Sequence, residues 1–166
     1  MPDSPAGPLA LTPIGRIGTP WPTPADCPRN GRQPLPVPVC RVTVDAAWQP
    51  GLLGLEGFSH LILLYWLHLG RGPSLVIMPP FDGQPRGVFA TRAPCHPNPI
   101  GLSVVAFDGF AAPGVLLVRH LDCVDGTPLL DIKPYLPTTD AEPEAAMGWL
   151  APHATPQPSR QPPGDA

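Results

Sequence analysis

The sequence predicts a mainly β domain, a compact barrel or sandwich of short strands joined by long proline- and glycine-rich loops, with little helix. Three observations carry this. The 166 residues include 29 prolines and 17 glycines. Proline removes a backbone donor and clashes inside a helix, so regular elements must be short. The β-branched and aromatic residues fall in short runs bounded by turn residues, as strands do. Hydrophobic residues make up 43% of the chain, enough for the core of one domain.

The elements follow in order. Residues 12–18, TPIGRIG, form a first strand. Residues 19–38 are proline-rich and make a long irregular loop, of a length that in a compact domain is functional or disordered. CRVTVD (40–45) alternates apolar and polar residues, the pattern of a half-buried strand. SHLILLYWLH (59–68) is nearly all apolar; its length and its Ile, Tyr and Trp favour a central strand over a buried helix. Strands are then expected at 74–80, 87–92, 100–110, 114–124 and 128–136, and one short helix at 141–150. DGTP, Asp125 to Pro128, sits between the last two strands and reads as a hairpin turn, because glycine accepts a positive φ there. Many short strands at this spacing argue an all-β barrel or sandwich. Residues 1–10 read as a loose leader, 11–150 as the folded domain, and 151–166 as a proline-rich tail too poor in large apolar groups to order itself.

Charge and cysteine content narrow the function. The formal net charge is −3, with nine arginines and one lysine, Lys133. A general nucleic-acid coat is basic, because neutralising phosphate supplies most of its affinity. The charge therefore excludes non-specific binding, and no DNA partner is expected, while a few placed arginines remain able to contact phosphate. The N-terminus lacks the basic and apolar regions of a signal peptide. No apolar run approaches the roughly 20 residues of a membrane span. The expectation is a cytoplasmic protein, without a membrane partner, whose Cys27, Cys40, Cys95 and Cys123 are reduced and mostly buried. Cys95-His96 and His120 to Cys123 lack the spacing of a zinc knuckle, so no metal site is expected. His60, His120 and His153 belong to no constellation and read as structural.

One stretch stands apart. PCHPNPIG places Pro94, Pro97 and Pro99 in six residues ahead of Ile100. Each proline fixes its own φ and restrains the residue before it, so the backbone carbonyls are held in place before any ligand arrives. Asn98, between two prolines, offers a donor and an acceptor at a fixed point. The plain alternative is a stiff connection. Arg92 is able to hold a carboxylate or phosphate as a fork, or to pair with a nearby acid on the surface.

Taken together, GLEGFSHLILLYWLH (54–68), GVFATRAPCHPNPIGLS (87–103) and LDCVDGTPLLDIKPYLP (121–137) resemble the TsaA/TrmO (YaeB-like) family over about residues 12–140. The resemblance implies a β-barrel that binds S-adenosyl-L-methionine. It implies N6-methylation of threonylcarbamoyladenosine beside the tRNA anticodon, and a homodimer. Position by position, it implies cofactor contacts at Pro28, Arg29 and Asn30; at His68 and Leu69; at Arg92, His96, Asn98 and Leu102; and at Asp125, Gly126, Thr127 and Pro128. His96 stands where the family usually has arginine, Leu69 where glutamine is common, and Asn30 where glutamine is usual. Longer members carry a C-terminal domain where this chain has its proline-rich tail.

Methyl transfer from a sulfonium is an in-line displacement, for which the protein mainly aligns donor and acceptor. His96 and Asp131 are able to take the acceptor proton, and neither is singled out as catalytic. Two other readings stay open: a methyltransferase for a small molecule or a protein, and a cofactor-binding regulatory module without transfer. A shared basic face of Arg29, Arg32, Arg86, Arg92 and Arg119 favours RNA, and tRNA is then the expected partner. A closed apolar pocket favours a small molecule.

Overall fold

In Val39–Val44, alternate residues Cys40, Val42 and Val44 are buried while Val39, Arg41 and Thr43 face out, so one strand face must meet a core. The same alternation recurs around a closed ring in the computed structural model, which describes residues 10–153. The strands are β1 (Gly15–Gly18), β2 (Val39–Val44), β3 (His60–Trp66), β4 (Val76–Ile77), β5 (Arg86–Gly87), β6 (Ile100–Ala112), β7 (Val115–Arg119) and β8 (Thr127–Pro134). Six of them close an antiparallel barrel in the order β1-β2-β7-β6-β3-β8 and back to β1, which removes every exposed strand edge. β4 and β5 form a separate small pair. Ile17, Val42, Leu61, Leu63, Val105, Leu116, Val118 and Leu129 are fully buried inside the ring. The sandwich alternative is thereby removed in favour of the barrel.

β3 is apolar on both faces, but the barrel is a single layer. Leu61, Leu63 and Tyr65 face the core, while Ile62, Leu64 and Trp66 lie half-buried on the outside. They pair with Val104, Leu102 and Ile100 of β6. Ile100 and Leu102 are 46% and 44% exposed, so an apolar strip runs along the outer wall.

Several expected elements differ. Residues 87–92 are not a strand beyond Gly87: Val88–Ala90 make a 3-10 turn, closed by the backbone N–H and the hydroxyl of Thr91, which both donate to the Val88 carbonyl. The 74–80 strand shrinks to Val76–Ile77. The 114–124 strand stops at Arg119, because His120 adopts φ 77°, the left-handed region that breaks pleating. DGTP is not a hairpin turn, since β7 pairs with β2 and β6 while β8 pairs with β1 and β3. It is a tight turn in a crossing connection, with Gly126 at φ 76° and the Thr127 N–H on the Val124 carbonyl.

The folded domain also ends earlier than residue 150. One unit ends at Tyr135 and a second begins at Leu136. The expected helix at 141–150 is replaced, within the second unit, by α1 (Pro137–Asp140) and a 3-10 turn at Gly148–His153. Proline is favoured in the first helical turn, and Asp140 accepts the Leu136 N–H at 2.8 Å, which places the helix at 137–140. The leader up to residue 9 and the tail from residue 154 lie outside the described residues.

Register decides which loops meet. Gly18 pairs with Arg41, Val39 with Arg119, Ile17 with Thr127, and Trp66 with Ile100. These pairs all lie at one rim of the barrel. The three long connections, 19–38, 67–99 and 120–126, therefore open at the same end. The opposite rim carries 45–59 and the short β6–β7 turn.

Candidate functional site

Every residue singled out from the family motifs lies in those three connections or on the strand ends they join. In the first loop, the Asn30 side chain accepts the Arg32 N–H at 2.9 Å, and its carbonyl accepts the Gln33 N–H at 3.2 Å. The Gln33 side chain accepts the Arg29 N–H at 2.9 Å. Pro28, Arg29 and Asn30 are thus held in a self-bonded turn. The Arg29 guanidinium lies 5.8 Å from the Phe81 ring centre, a cation–π contact that ties this loop to the second. Gly31 is buried against the third connection. A Cβ there would strike the His120 carbonyl, so only glycine admits the approach. The His120 Nδ1 sits 3.4 Å from the Gly31 carbonyl. Burial, foremost, pulls the His120 pKa down.

The proline stretch forms a wall bonded to the end of β3. Leu67 donates its N–H to Pro99 at 2.8 Å, Ser74 to Cys95 at 3.0 Å, and Ile100 to Asn98 at 2.7 Å. His96 Nε2 lies 3.1 Å from the Thr91 carbonyl, and its ring meets Phe89 edge-on. Between this wall and the β3 end lies a cleft of about 210 Å³, lined by Trp66, His68, Pro94, His96 and Pro99 among others. His68 and Leu69 are exposed at its edge, as is Asn98 on the wall. Arg92 donates to the Leu102 carbonyl at 2.6 Å, which fixes its root while leaving it exposed.

DGTP fastens the third connection to the first. Asp125 accepts the Thr19 N–H at 3.0 Å and donates its own N–H to Trp21 at 2.8 Å. Gly126 donates to Ile17 at 2.8 Å. Thr127 is 1% exposed, and its hydroxyl donates to the Val124 carbonyl at 2.6 Å. Pro128 stands on β8 opposite Arg16. The Asp125 carboxylate and the Thr127 hydroxyl therefore build the turn, and what DGTP presents outward is mainly backbone.

Sequence reasoning missed four residues here. Tyr65, 3% exposed, bonds Ser103 at 2.9 Å and donates to the Asp122 carboxylate at 3.0 Å. Burial drives the phenol far above its ordinary range and raises the Asp122 pKa too. The Trp21 indole N–H is buried without an acceptor, alone in this among the described residues. A phenol in the apolar register of β3, two residues from Leu63 on the core face, was the signal available for the first three. Nothing local marked Trp21.

Three of the four cysteines are held in their protonated, unreactive form. Burial pushes Cys123 up to about 12 and Cys40 up to about 11, and Cys27 is raised as well. Among the described residues no group of three or more His, Cys, Asp or Glu is placed to hold a metal ion. No helix among them is long and apolar enough to cross a membrane. Asp131 is ion-paired to Lys133 at 2.7 Å on β8, away from the cleft-lining residues.

The arginines are segregated. Arg29 and Arg32 lie in the first loop, and Arg71, Arg86 and Arg92 in the second connection. Arg41 and Arg119 stand at the same rim, and Arg16 reaches the Gly126 carbonyl at 3.5 Å. These are all the arginines among the described residues. Arg86 is paired to Asp82 and Arg119 to Asp108, each at 2.7 Å.

Known proteins resemble the chain over most of its length. The model of the tRNA-methyltransferase O N-terminal domain matches residues 16–141. The "Probable S-adenosyl-L-methionine-binding protein VirR" of Rhizobium radiobacter is 42% identical over 128 residues, covering 77% of this chain and 71% of that protein. A "tRNA (adenine(37)-N6)-methyltransferase" of Eikenella corrodens is 44% identical over 100 residues, 57% of each chain. The crystal structure of TrmO from Pseudomonas aeruginosa superposes with a TM-score of 0.71 at 36% identity, over 86% of this chain. This chain spans 62% of that solved chain. By the match over most of its length, the chain belongs to the tRNA-methyltransferase O N-terminal domain (TsaA/TrmO) family.

Proposed function

We propose that the protein is an S-adenosyl-L-methionine-dependent methyltransferase acting on N6 of an adenosine in tRNA, with threonylcarbamoyladenosine beside the anticodon as the acceptor. The residues present fit the cofactor. The cleft is walled by fixed backbone carbonyls and two imidazoles and holds no carboxylate among its lining residues, which suits adenine and an anionic amino-acid tail. The unsatisfied indole N–H of Trp21 calls for an acceptor, brought by a ligand or by a shift of its loop. When bound, the cofactor supplies an electrophilic methyl group. The chain's own part is to hold and align: the proline wall and the DGTP backbone fix one side, and Arg29, Asn30 and Arg92 stand on the others.

The observation that carries the tRNA reading is the gathering of arginines at the cofactor end. Arg32, Arg41, Arg71 and Arg92 are exposed there and make no ion pair among the described residues. Cations on a rim beside a cleft are what a polynucleotide acceptor requires and a small-molecule acceptor does not. A homodimer is part of the same reading. Its support is the apolar strip of Ile62, Leu64, Trp66, Ile100, Leu102 and Val104, which a single barrel leaves half-covered.

The test is to incubate the protein with S-adenosyl-L-methionine and tRNA and to analyse the nucleosides by mass. One added methyl on modified adenosine is the expected result. Cofactor binding without transfer to tRNA would replace this reading with the regulatory one, or with another acceptor. Absence of cofactor binding would remove both.

A further inference from the structure

We propose that Asp122 is a positioning residue for cofactor binding, its carboxylate fixing the 120–123 backbone against which loop 19–38 packs at Gly31; this rests on the cofactor reading above. Asp122 belongs to the third connection, yet its partners come from the other elements at this end. Tyr65 of β3 donates to it at 3.0 Å, and Ser103 of β6 bonds that same phenol at 2.9 Å. Gly31 of loop 19–38 packs on the backbone just before Asp122, where an added Cβ would strike the His120 carbonyl and the Leu121 nitrogen, and the Arg92 charge acts on the carboxylate from the second connection. Gly31 directly follows Pro28, Arg29 and Asn30, so whatever fixes Gly31 fixes that triplet.

A purely structural role fits less well. A half-buried carboxylate is weak evidence for stability, because desolvation offsets its attractions. Here burial is the largest influence and leaves the Asp122 pKa raised, despite the lowering effects of Tyr65, Arg92 and Gly31. Ionising Asp122 therefore costs the folded chain more than the unfolded one. What the carboxylate supplies is charge-assisted acceptance from the Tyr65 phenol, about twice the strength of a neutral bond and directional. Tyr65 and Ser103 are themselves buried, so the anchor stands on the rigid barrel rather than on another loop.

The sign of the pH dependence follows. Asp122 takes a proton at a higher pH in the folded chain than in the unfolded one. The carboxylate anchor is therefore lost as pH falls through that raised value. The other titratable or charged groups that act on Asp122 are Tyr65, Arg92 and the Cys27 and Cys123 thiols.

The experiment compares the wild-type chain with Asp122→Asn and Tyr65→Phe. It measures affinity for S-adenosyl-L-methionine by calorimetry across pH, amide hydrogen exchange in residues 26–33, and apo melting temperature. Asp122→Asn keeps the shape and removes the charge. Expected are an affinity loss of about tenfold, faster exchange in 26–33 in the apo protein, and a melting temperature close to wild type. The acid-side fall in affinity should be shallower in Asp122→Asn than in the wild type. Unchanged affinity with unchanged loop exchange overturns the proposal. Should the wild type bind no cofactor, the cofactor reading fails on its own, and apo exchange in 26–33 alone decides the positioning claim. Should Asp122→Asn fail to fold, Tyr65→Phe decides: an unaltered affinity and loop exchange there overturn it.

Discussion

Thr127→Val separates turn chemistry from ligand chemistry at DGTP. Valine keeps the branched shape and removes the hydroxyl. That hydroxyl donates to the Val124 carbonyl at 2.6 Å, and Thr127 is 1% exposed. Replacing it removes one buried hydrogen bond, worth about 0.5–1.5 kcal/mol. The Val124 carbonyl keeps its other donor, the Thr127 N–H at 3.2 Å, so no acceptor is orphaned. The loss should then sit near the middle of the range, about 1 kcal/mol, or roughly 3–5 °C in melting temperature for a domain of this size. Cofactor affinity should change by less than about twofold, because the side chain is committed to the turn and faces no ligand. The assay pairs apo thermal denaturation with cofactor titration. An affinity loss of fivefold or more with an unshifted apo melting temperature would refute the reasoning and return the hydroxyl to the ligand.

The other perturbations act on separate features. Gly126→Ala meets no atom within 4 Å, so only its positive φ is strained; denaturant unfolding should show a loss of about 1 kcal/mol. Arg32→Ala, at an exposed position of the first loop, should lower the slope of log affinity for tRNA against log salt by about 1, while leaving apo stability unchanged. Ile100→Glu places a charge on the exposed apolar strip, and light scattering should then give the 17.6 kDa mass of a single chain where the wild type gives twice that.

Much of the barrel was legible because its signals are local. The alternation at 39–44 and the apolar run at 60–66 report burial directly, whatever the partner strands. Where pairing is long-range, local signals misled. Asp-Gly in DGTP has hairpin chemistry, but the turn serves a connection from β7 to β8, whose partners lie elsewhere in the ring. The 87–92 run has strand composition, but Thr91 folds its hydroxyl back onto Val88 and closes a turn instead. His120 ends β7 early because its carbonyl must pass Gly31, a contact between residues 89 apart in sequence. The site shows the same division. The proline stretch at 94–99 stood out by composition, while the other site residues came only from the family resemblance, and the register sets both in connections at one rim. Asp122 and Tyr65 were missed because their importance lies in one bond across 57 residues.

Net charge argues against general nucleic-acid binding, yet it is too coarse for this molecule. What a polyanion meets is the field of one end, and that field depends on how far the opposing charges lie. β2 has six residues, so at about 3.3 Å per residue the two rims stand roughly 20 Å apart. The Debye length at physiological salt is about 8 Å, so Asp45 and Glu56, carried by the 45–59 connection at the far rim, are largely screened from the cofactor end. Acids do share the cationic end: Asp26 and Asp125 are exposed there, bonded to Thr23 and to the Thr19 N–H, while Asp82 is paired to Arg86, Asp108 to Arg119, and Asp122 accepts Tyr65 from a half-buried place. Arg32, Arg41, Arg71 and Arg92 remain exposed beside the cleft. A chain of net charge −3 thereby offers phosphate a cationic rim without a cationic surface. Such a rim favours binding in one orientation, with the polynucleotide at the methyl donor, and leaves the rest of the barrel repellent to it.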